Sequence, residues 1–189
     1  MNEPRVDGRR LQGSEYVGDD GSADPGLVRA LHGHAAGTTH YPVALAALAP
    51  ARVLVPVVAV LGEVEYDDAG LARDKSSDMA AVLLTGADGR RALLAFTSTE
   101  SLAAWDPQAR PVPVAAHLAA ATAVQEGAAA LVVDVAGPAT FVLEGEDLHR
   151  VAAGWRPVRL SDGGWGWLGQ DPAAGDGVDD DSAEREQTR

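Results

Sequence analysis

Cysteine is absent from the 189-residue chain. That excludes disulfides, thiolate-held metals and a cysteine nucleophile together. Lysine is nearly absent: Lys75 is the only one, and the arginines are scattered. A nucleic-acid backbone calls for clustered Lys and Arg to displace its counterions, and an anionic membrane surface asks for the same. Neither is expected as a partner. Long apolar runs are missing too. The longest, over residues 53–61 and 115–124, fall short of the ~20 residues of a spanning helix or consist mostly of alanine. Residues 1–24 contain no apolar stretch of the secretory kind. A cytoplasmic location is the resulting expectation.

Acidic residues are plentiful, and the formal net charge is −13. They concentrate at the ends. Residues 1–25 hold six acids against three bases, and residues 170–189 hold seven against two. Both ends lack apolar periodicity and read as disordered acidic tails. Residues 26–156 read as one domain, long enough to bury a real core. Residues 157–169 form an irregular strip containing Gly163-Gly164-Trp165-Gly166-Trp167.

Within the domain, Pro25 suits a first helical position, and Leu27, Ala30, Leu31 and His34 share a helix face. Tyr41, Leu45 and Leu48 predict a second helix that Pro50 ends. Residues 52–61 are dominated by β-branched side chains and read as a strand. Pro56 inside it removes a ladder donor and points to an edge or a bulge. Residues 62–77 read as a loop. Strands over 79–85 and 91–96, joined by Gly86-Ala87-Asp88-Gly89, predict a hairpin. Thr97 and Glu100 have capping-box spacing before a helix that carries Leu102 and Trp105. Pro111 and Pro113 read as the approach to a longer helix with a stripe of Val114, Leu118, Ala121 and Val124. Gly127 is its natural stop. Strands over 129–135 and 140–143 follow. A final helix over 145–153 puts Leu148, Val151, Ala152 and Trp155 on one side. The fold class is therefore α+β, a mixed, mostly antiparallel sheet of about five strands with helices mainly on one face.

Several of these segments resemble the bacterial SseB N-terminal domain family. The likeness lies in Val53-Leu54-Val55-Pro56-Val57, in Leu94-Ala95-Phe96-Thr97-Ser98-Thr99-Glu100-Ser101-Leu102 with Trp105, and in the strand and turn from Gly127 to Gly137-Pro138. It spans about residues 26–155. The chain departs from the family at Asp134-Val135, where Asn-Pro is frequent. The resemblance implies an SseB-like fold and no established reaction, cofactor or catalytic residue.

Candidate sites are few. His32, His34 and His40 lie within nine residues, but i and i+2 do not face each other on a helix, so exposed histidines are expected rather than a metal centre. Thr97, Ser98, Thr99 and Glu100 begin a helix, where free N–H groups could hold an anion, although self-capping competes. A serine nucleophile would draw on His117 or His149 with Asp78 or Asp134, yet no Gly-x-Ser-x-Gly is present. His117 is expected at the core boundary, and Trp105 and Trp155 in the core. Trp165 and Trp167 are expected to fold back on the domain or to meet a partner. No cofactor is expected. The leading functional reading is a non-enzymatic interaction module. The alternative is a sensor of an amino acid or another small anion at the 97–100 helix start, and a hydrolase comes last.

Overall fold

The computed structural model describes Tyr16, residues 18–60 and residues 78–169. Residues 1–15 and 17 of the tail expected over 1–25, the tail expected over 170–189 and the loop expected over 62–77 lie outside the described residues.

The chain opens with α1 (Pro25–Ala35) and α2 (Tyr41–Leu48). Asp24 caps α1 by accepting from the Leu27 amide at 2.7 Å, and Pro25 fills the first turn. Leu27, Leu31, Leu45 and Leu48 are buried by the two helices, and each contributes roughly 2 kcal/mol by leaving water.

Strands β1 (Arg52–Val60), β2 (Asp78–Ala81), β3 (Leu83–Thr85) and β4 (Arg91–Ala95) follow. Then come α3 (Thr99–Trp105), β5 (Arg110–Ala115), α4 (Ala116–Gln125), β6 (Ala130–Val133), β7 (Phe141–Glu144) and α5 (Gly145–Ala152). A closing pair, β8 (Arg156–Arg159) and β9 (Trp165–Leu168), completes the order. One sheet runs β2-β1-β5, another β3-β4-β6-β7. All pairs are antiparallel except β4 with β6. The two sheets join where Leu54 and Phe96 exchange backbone hydrogen bonds of 2.8 Å each. Alternation along the strands builds two cores. Val53, Leu93, Ala95, Leu131 and Val133 face the helices α1, α2, α4 and α5. Leu54, Leu94 and Phe96 face α3 through Leu102 and Trp105. This is the expected α+β class, with helices mainly on one side. Among the described residues no helix is long and apolar enough to cross a membrane.

Six expectations need correction. Residues 110–115 are a strand, not a helix approach. Leu54 spends its hydrogen bonds on Phe96, so its pairing with Pro113, and that of Pro56 with Pro111, are the non-hydrogen-bonded kind. The nitrogens of Pro111 and Pro113 therefore point out of the sheet's open edge, where no donor is needed. Pro56 itself lies in the middle strand. Its nitrogen faces the handover between Phe96 and Val82, whose amide donates to the Pro56 carbonyl.

The strand expected over 79–85 breaks at Val82, because its halves belong to different sheets. The hairpin after it is present, with Leu83 opposite Leu93 and Gly89 at φ 80°. Helix α4 buries Ala116, Ala119, Ala120 and Ala123, while Leu118 is exposed. Small residues let the helix lie close against the sheet and α5; Leu118 turns outward, while Val124 packs half-buried on the core. Trp155 is 42% exposed rather than core. The helix ends at Ala152 and Gly154 turns to φ 79°, which takes Trp155 off the stripe.

Finally, residues 157–169 are not irregular. They form most of the β8–β9 hairpin, with Pro157 opposite Trp167 and Arg159 opposite Trp165. Trp167 packs on the main core. Arg150 lies over its ring at 5.3 Å, and Arg159 lies over Trp165 at 5.5 Å.

Tyr41 stacks on Phe141 with ring centroids 5.4 Å apart. Burial, with the nearby Asp147 carboxylate, pushes its phenol well above the ordinary tyrosine range. Below the unfolded value of about 10 the phenol is protonated in both states. Above it only the unfolded chain releases the proton, so stability must fall as pH rises. Tyr41→Phe is expected to flatten this alkaline loss, measured as melting temperature against pH from 8 to 11 (~3 units around the tyrosine value). An unchanged alkaline slope in the variant would refute it.

Candidate functional site

Strands β4 and β6 run parallel, so both leave the sheet at the same edge. The chain after β4 reaches Thr97, and the chain after β6 reaches Asp134. The Asp134 amide extends the ladder by donating to the Ala95 carbonyl at 3.0 Å. Its backbone then turns to φ 52°, the one described non-glycine residue with positive φ. Asp adopts this conformation more readily than most L residues, at a cost of about 1–2 kcal/mol.

That turn swings the carboxylate back over β4. Oδ1 accepts from the Thr97 amide at 2.9 Å and Oδ2 accepts from the Thr97 hydroxyl at 2.7 Å. Thr97 is 4% exposed, the one buried polar residue described. The Asp134 carbonyl in turn accepts from the Gly137 amide at 2.9 Å and the Thr140 hydroxyl at 3.1 Å. Two strand ends and one loop are thereby fastened by a single side chain.

A second fastening comes from the amino-terminal side. Arg52 donates from Nη1 to the Thr97 carbonyl at 2.9 Å and from Nη2 to the Ser22 carbonyl. Its Nε pairs with Asp19 Oδ2 at 2.7 Å, with both side chains 14% exposed. The Thr99 amide donates to the Gly21 carbonyl at 2.9 Å. Gly21 has φ 76°, and a Cβ there would sit 2.3 Å from Thr99 Cγ2. Residues 18–24 are therefore a strap laid across the start of α3. They correct the expectation of a disordered tail running to residue 25.

The capping box is also shifted. Ser98 and Ser101 form it, not Thr97 and Glu100. The Ser101 amide donates to Ser98 Oγ at 3.0 Å and the Ser98 amide to Ser101 Oγ at 3.2 Å. Thr97 cannot cap because Asp134 has already engaged it. Glu100 stands exposed in the first turn, favourable to the helix dipole.

Beside these fastenings opens a cleft of about 480 Å³ between α1, the first turns of α3 and the loop after Asp134. Val28, Leu31, Ala104 and Pro138 supply apolar wall. Ser98, Ser101, Glu100 and the exposed His32 supply polar groups. No Lys or Arg is among its described lining residues.

The other sequence candidates fall elsewhere. His34 packs its ring against Tyr41 and Phe141 at 5.8 and 5.5 Å, with Nδ1 3.2 Å from the Thr39 carbonyl oxygen. His40 precedes α2 as its cap residue. Among the described residues no three His, Cys, Asp or Glu groups gather as a metal site would require. His117 is half-buried beside Trp155 in another hollow. His149 lies in the last turn of α5, and Asp78 begins β2. Trp105 is half-buried on Phe96, 5.5 Å between centroids. Trp165 and Trp167 are half-buried in β9. Of the proposed contacts, then, Thr97, Ser98 and Glu100 line the cleft; Thr99 meets the strap. Sequence reasoning missed Arg52 and Asp19 altogether, and saw Asp134 only as a triad acid. A lone carboxylate ending an apolar strand before Gly137-Pro138 was the available signal.

The profile of the SseB protein N-terminal domain matches residues 27–150. The chain belongs to this family. The SseB match runs from α1 to α5 and so includes the Asp134 fastening and most of the cleft wall. It stops before the β8–β9 hairpin and begins after the strap. No curated protein and no solved structure matches the chain.

Proposed function

We propose that this SseB-family domain is a non-enzymatic binding module, and that the cleft at the carboxyl ends of β4 and β6 seats a segment of a protein partner. One observation carries the reading: the cleft's hydroxyls are all occupied structurally. Thr97 donates to Asp134, and Ser98 and Ser101 bond each other and the backbone. Among the described residues the only imidazole hydrogen bond joins His34 to a backbone carbonyl. A hydrolytic serine calls for a base hydrogen-bonded to it; His32 lines the same cleft, but Ser98 and Ser101 bond each other and the backbone instead. A mostly apolar hollow with a few polar groups is instead the make-up of a recognition site.

The charge of the lining narrows the ligand. Glu100 and Asp134 are negative, and the first-turn amides of residues 97, 98, 99 and 101 already have acceptors. The cleft therefore suits an apolar side chain next to a positive charge better than a free anion. The second reading, a sensor of an amino acid or similar metabolite, draws support from the volume, which falls in the small-molecule range. A cytoplasmic setting belongs to the same proposal.

Ala136 is exposed on the cleft's loop, so Ala136→Trp fills the hollow without disturbing the core. The variant is expected to melt within ~2 °C of the parent, as surface changes do, and to lose the proteins that the parent captures in a pull-down. A thermal shift with amino acids or amines that vanishes in the variant would favour the metabolite. Capture of the same proteins by both chains would show that the cleft is not the seat.

A further inference from the structure

A sheet with helices on one face ordinarily turns polar residues to the other. The four-stranded sheet does not. Leu84 and Val142 are each 42% exposed on the side away from the four helices, and Ala92 and Val132 lie half-buried between them. The register sets these residues in adjacent rows: Leu84 opposite Ala92, and Val132 opposite Val142. They line an apolar groove of about 240 Å³. Helix α3 covers the Leu94–Phe96 end of this face, and Val132 packs half-buried against that cluster.

The margin of the groove is charged with both signs. Arg90 pairs with Asp88 at 2.6 Å and with Glu144 at 3.1 Å, and all three side chains are more than half exposed. Arg91, one residue on, turns to the helix side, where it donates to the Glu126 carbonyl at 2.6 Å. One base thus stands between two acids here, on a chain whose net charge is −13.

We propose that a second copy of this chain docks on this open face, sheet against sheet about a two-fold axis. Charge complementarity selects the occupant. Two acidic molecules repel over most of their surfaces, and a patch that sets an arginine among its carboxylates lets them approach at lower cost. A two-fold interface joins a patch to itself and so must be self-complementary. This patch has that property: its Arg90 and its Glu144 can exchange partners across the axis while Val142 and Leu84 bury each other's apolar surface. Face-to-face packing of sheets is a common solution for such rows. The face is separate from the cleft, so the proposal stands or falls independently of the partner-binding reading.

The test is sedimentation equilibrium on the full chain from low-micromolar to near-millimolar concentration, with the parent, Val142→Glu, Arg90→Glu and Glu144→Arg. The parent is expected to dimerise. Val142→Glu is expected to weaken the dimer at least ~tenfold, as a charge set in an apolar interface does. Arg90→Glu and Glu144→Arg are each expected to stay monomeric alone and to form a heterodimer when mixed, because only the mixture sets opposite charges across the axis. Melting curves check that each variant is folded. A parent that stays monomeric overturns the proposal. So does a dimer indifferent to Val142→Glu and to the charge exchange, which would place the interface elsewhere. A monomer whose melting temperature drops sharply with Val142→Glu also overturns it, by showing that the chain's own residues cover the face.

Discussion

Asp134→Ala is expected to lower the melting temperature by about 6–12 °C. The Thr97 amide and hydroxyl both depend on this carboxylate, and Thr97 is buried. Leaving buried donors unpaired costs about 1–3 kcal/mol each. A total near ~3 kcal/mol converts at roughly 2–4 °C per kcal/mol for a domain of this size. The backbone adds to the loss, since φ 52° is harder for Ala than for Asp. Two further substitutions separate the causes. Asp134→Asn keeps the conformation and an acceptor, so it should lie close to the parent. Asp134→Gly relieves the backbone but still abandons Thr97, so it should fall between Asn and Ala. Differential scanning calorimetry on the three variants gives the order. If Ala melts within ~2 °C of the parent, a shift below the cost of one unpaired group, then the Asp134 bonds do not fasten the strand ends.

Removing both indoles of the last hairpin should be at least as costly. Trp165 and Trp167 share one face of β9, each under an arginine, and Trp167 also packs on the main core. Truncating a fully buried tryptophan to alanine costs about 3–5 kcal/mol. Half-burial reduces this to roughly 2 kcal/mol per ring, and each arginine–ring contact adds ~0.5–1 kcal/mol. The double variant Trp165→Ala, Trp167→Ala is thus expected to melt about 10–24 °C below the parent. Glycine makes the hairpin depend on its rings. Gly163 has φ 85°, and a Cβ on Gly166 would stand 3.0 Å from Leu160. A segment so free when unfolded stays ordered only by burying surface. A double variant that melts like the parent yet loses a partner in a pull-down would make the rings an interaction motif instead.

Much of the fold follows from short-range rules. Asp24-Pro25 starts a helix, Gly86-Ala87-Asp88-Gly89 turns a hairpin, and Gly127 at φ 64° stops α4, each through interactions within a few residues. Most errors came where the deciding neighbour was remote in sequence. Pro111 and Pro113 look like strand breakers until the register against β1 shows their nitrogens turned to the open edge. The alanine side of α4 looks too small to be a core stripe until α5 and the sheet close on it.

The candidate site divides in the same way. The sequence by itself determined that a capped helix begins near Thr97, that an apolar strand lies within residues 129–135, and that cysteine and lysine chemistry has almost no part here, because composition and local spacing are one-dimensional properties. Only the tertiary structure decided which hydroxyl caps and which is buried. Thr97 and Asp134 are 37 residues apart in the chain, and the parallel pairing of β4 with β6 brings them together. Once Asp134 takes the Thr97 hydroxyl, capping passes to Ser98 and Ser101, and the strap through Gly21, Asp19 and Arg52 closes on Thr97 and Thr99. The glycine strip likewise became a hairpin because the core and two arginines lie within reach of its tryptophans. Such choices depend on which groups compete for one donor or one apolar surface, and that competition exists only after distant segments are packed side by side.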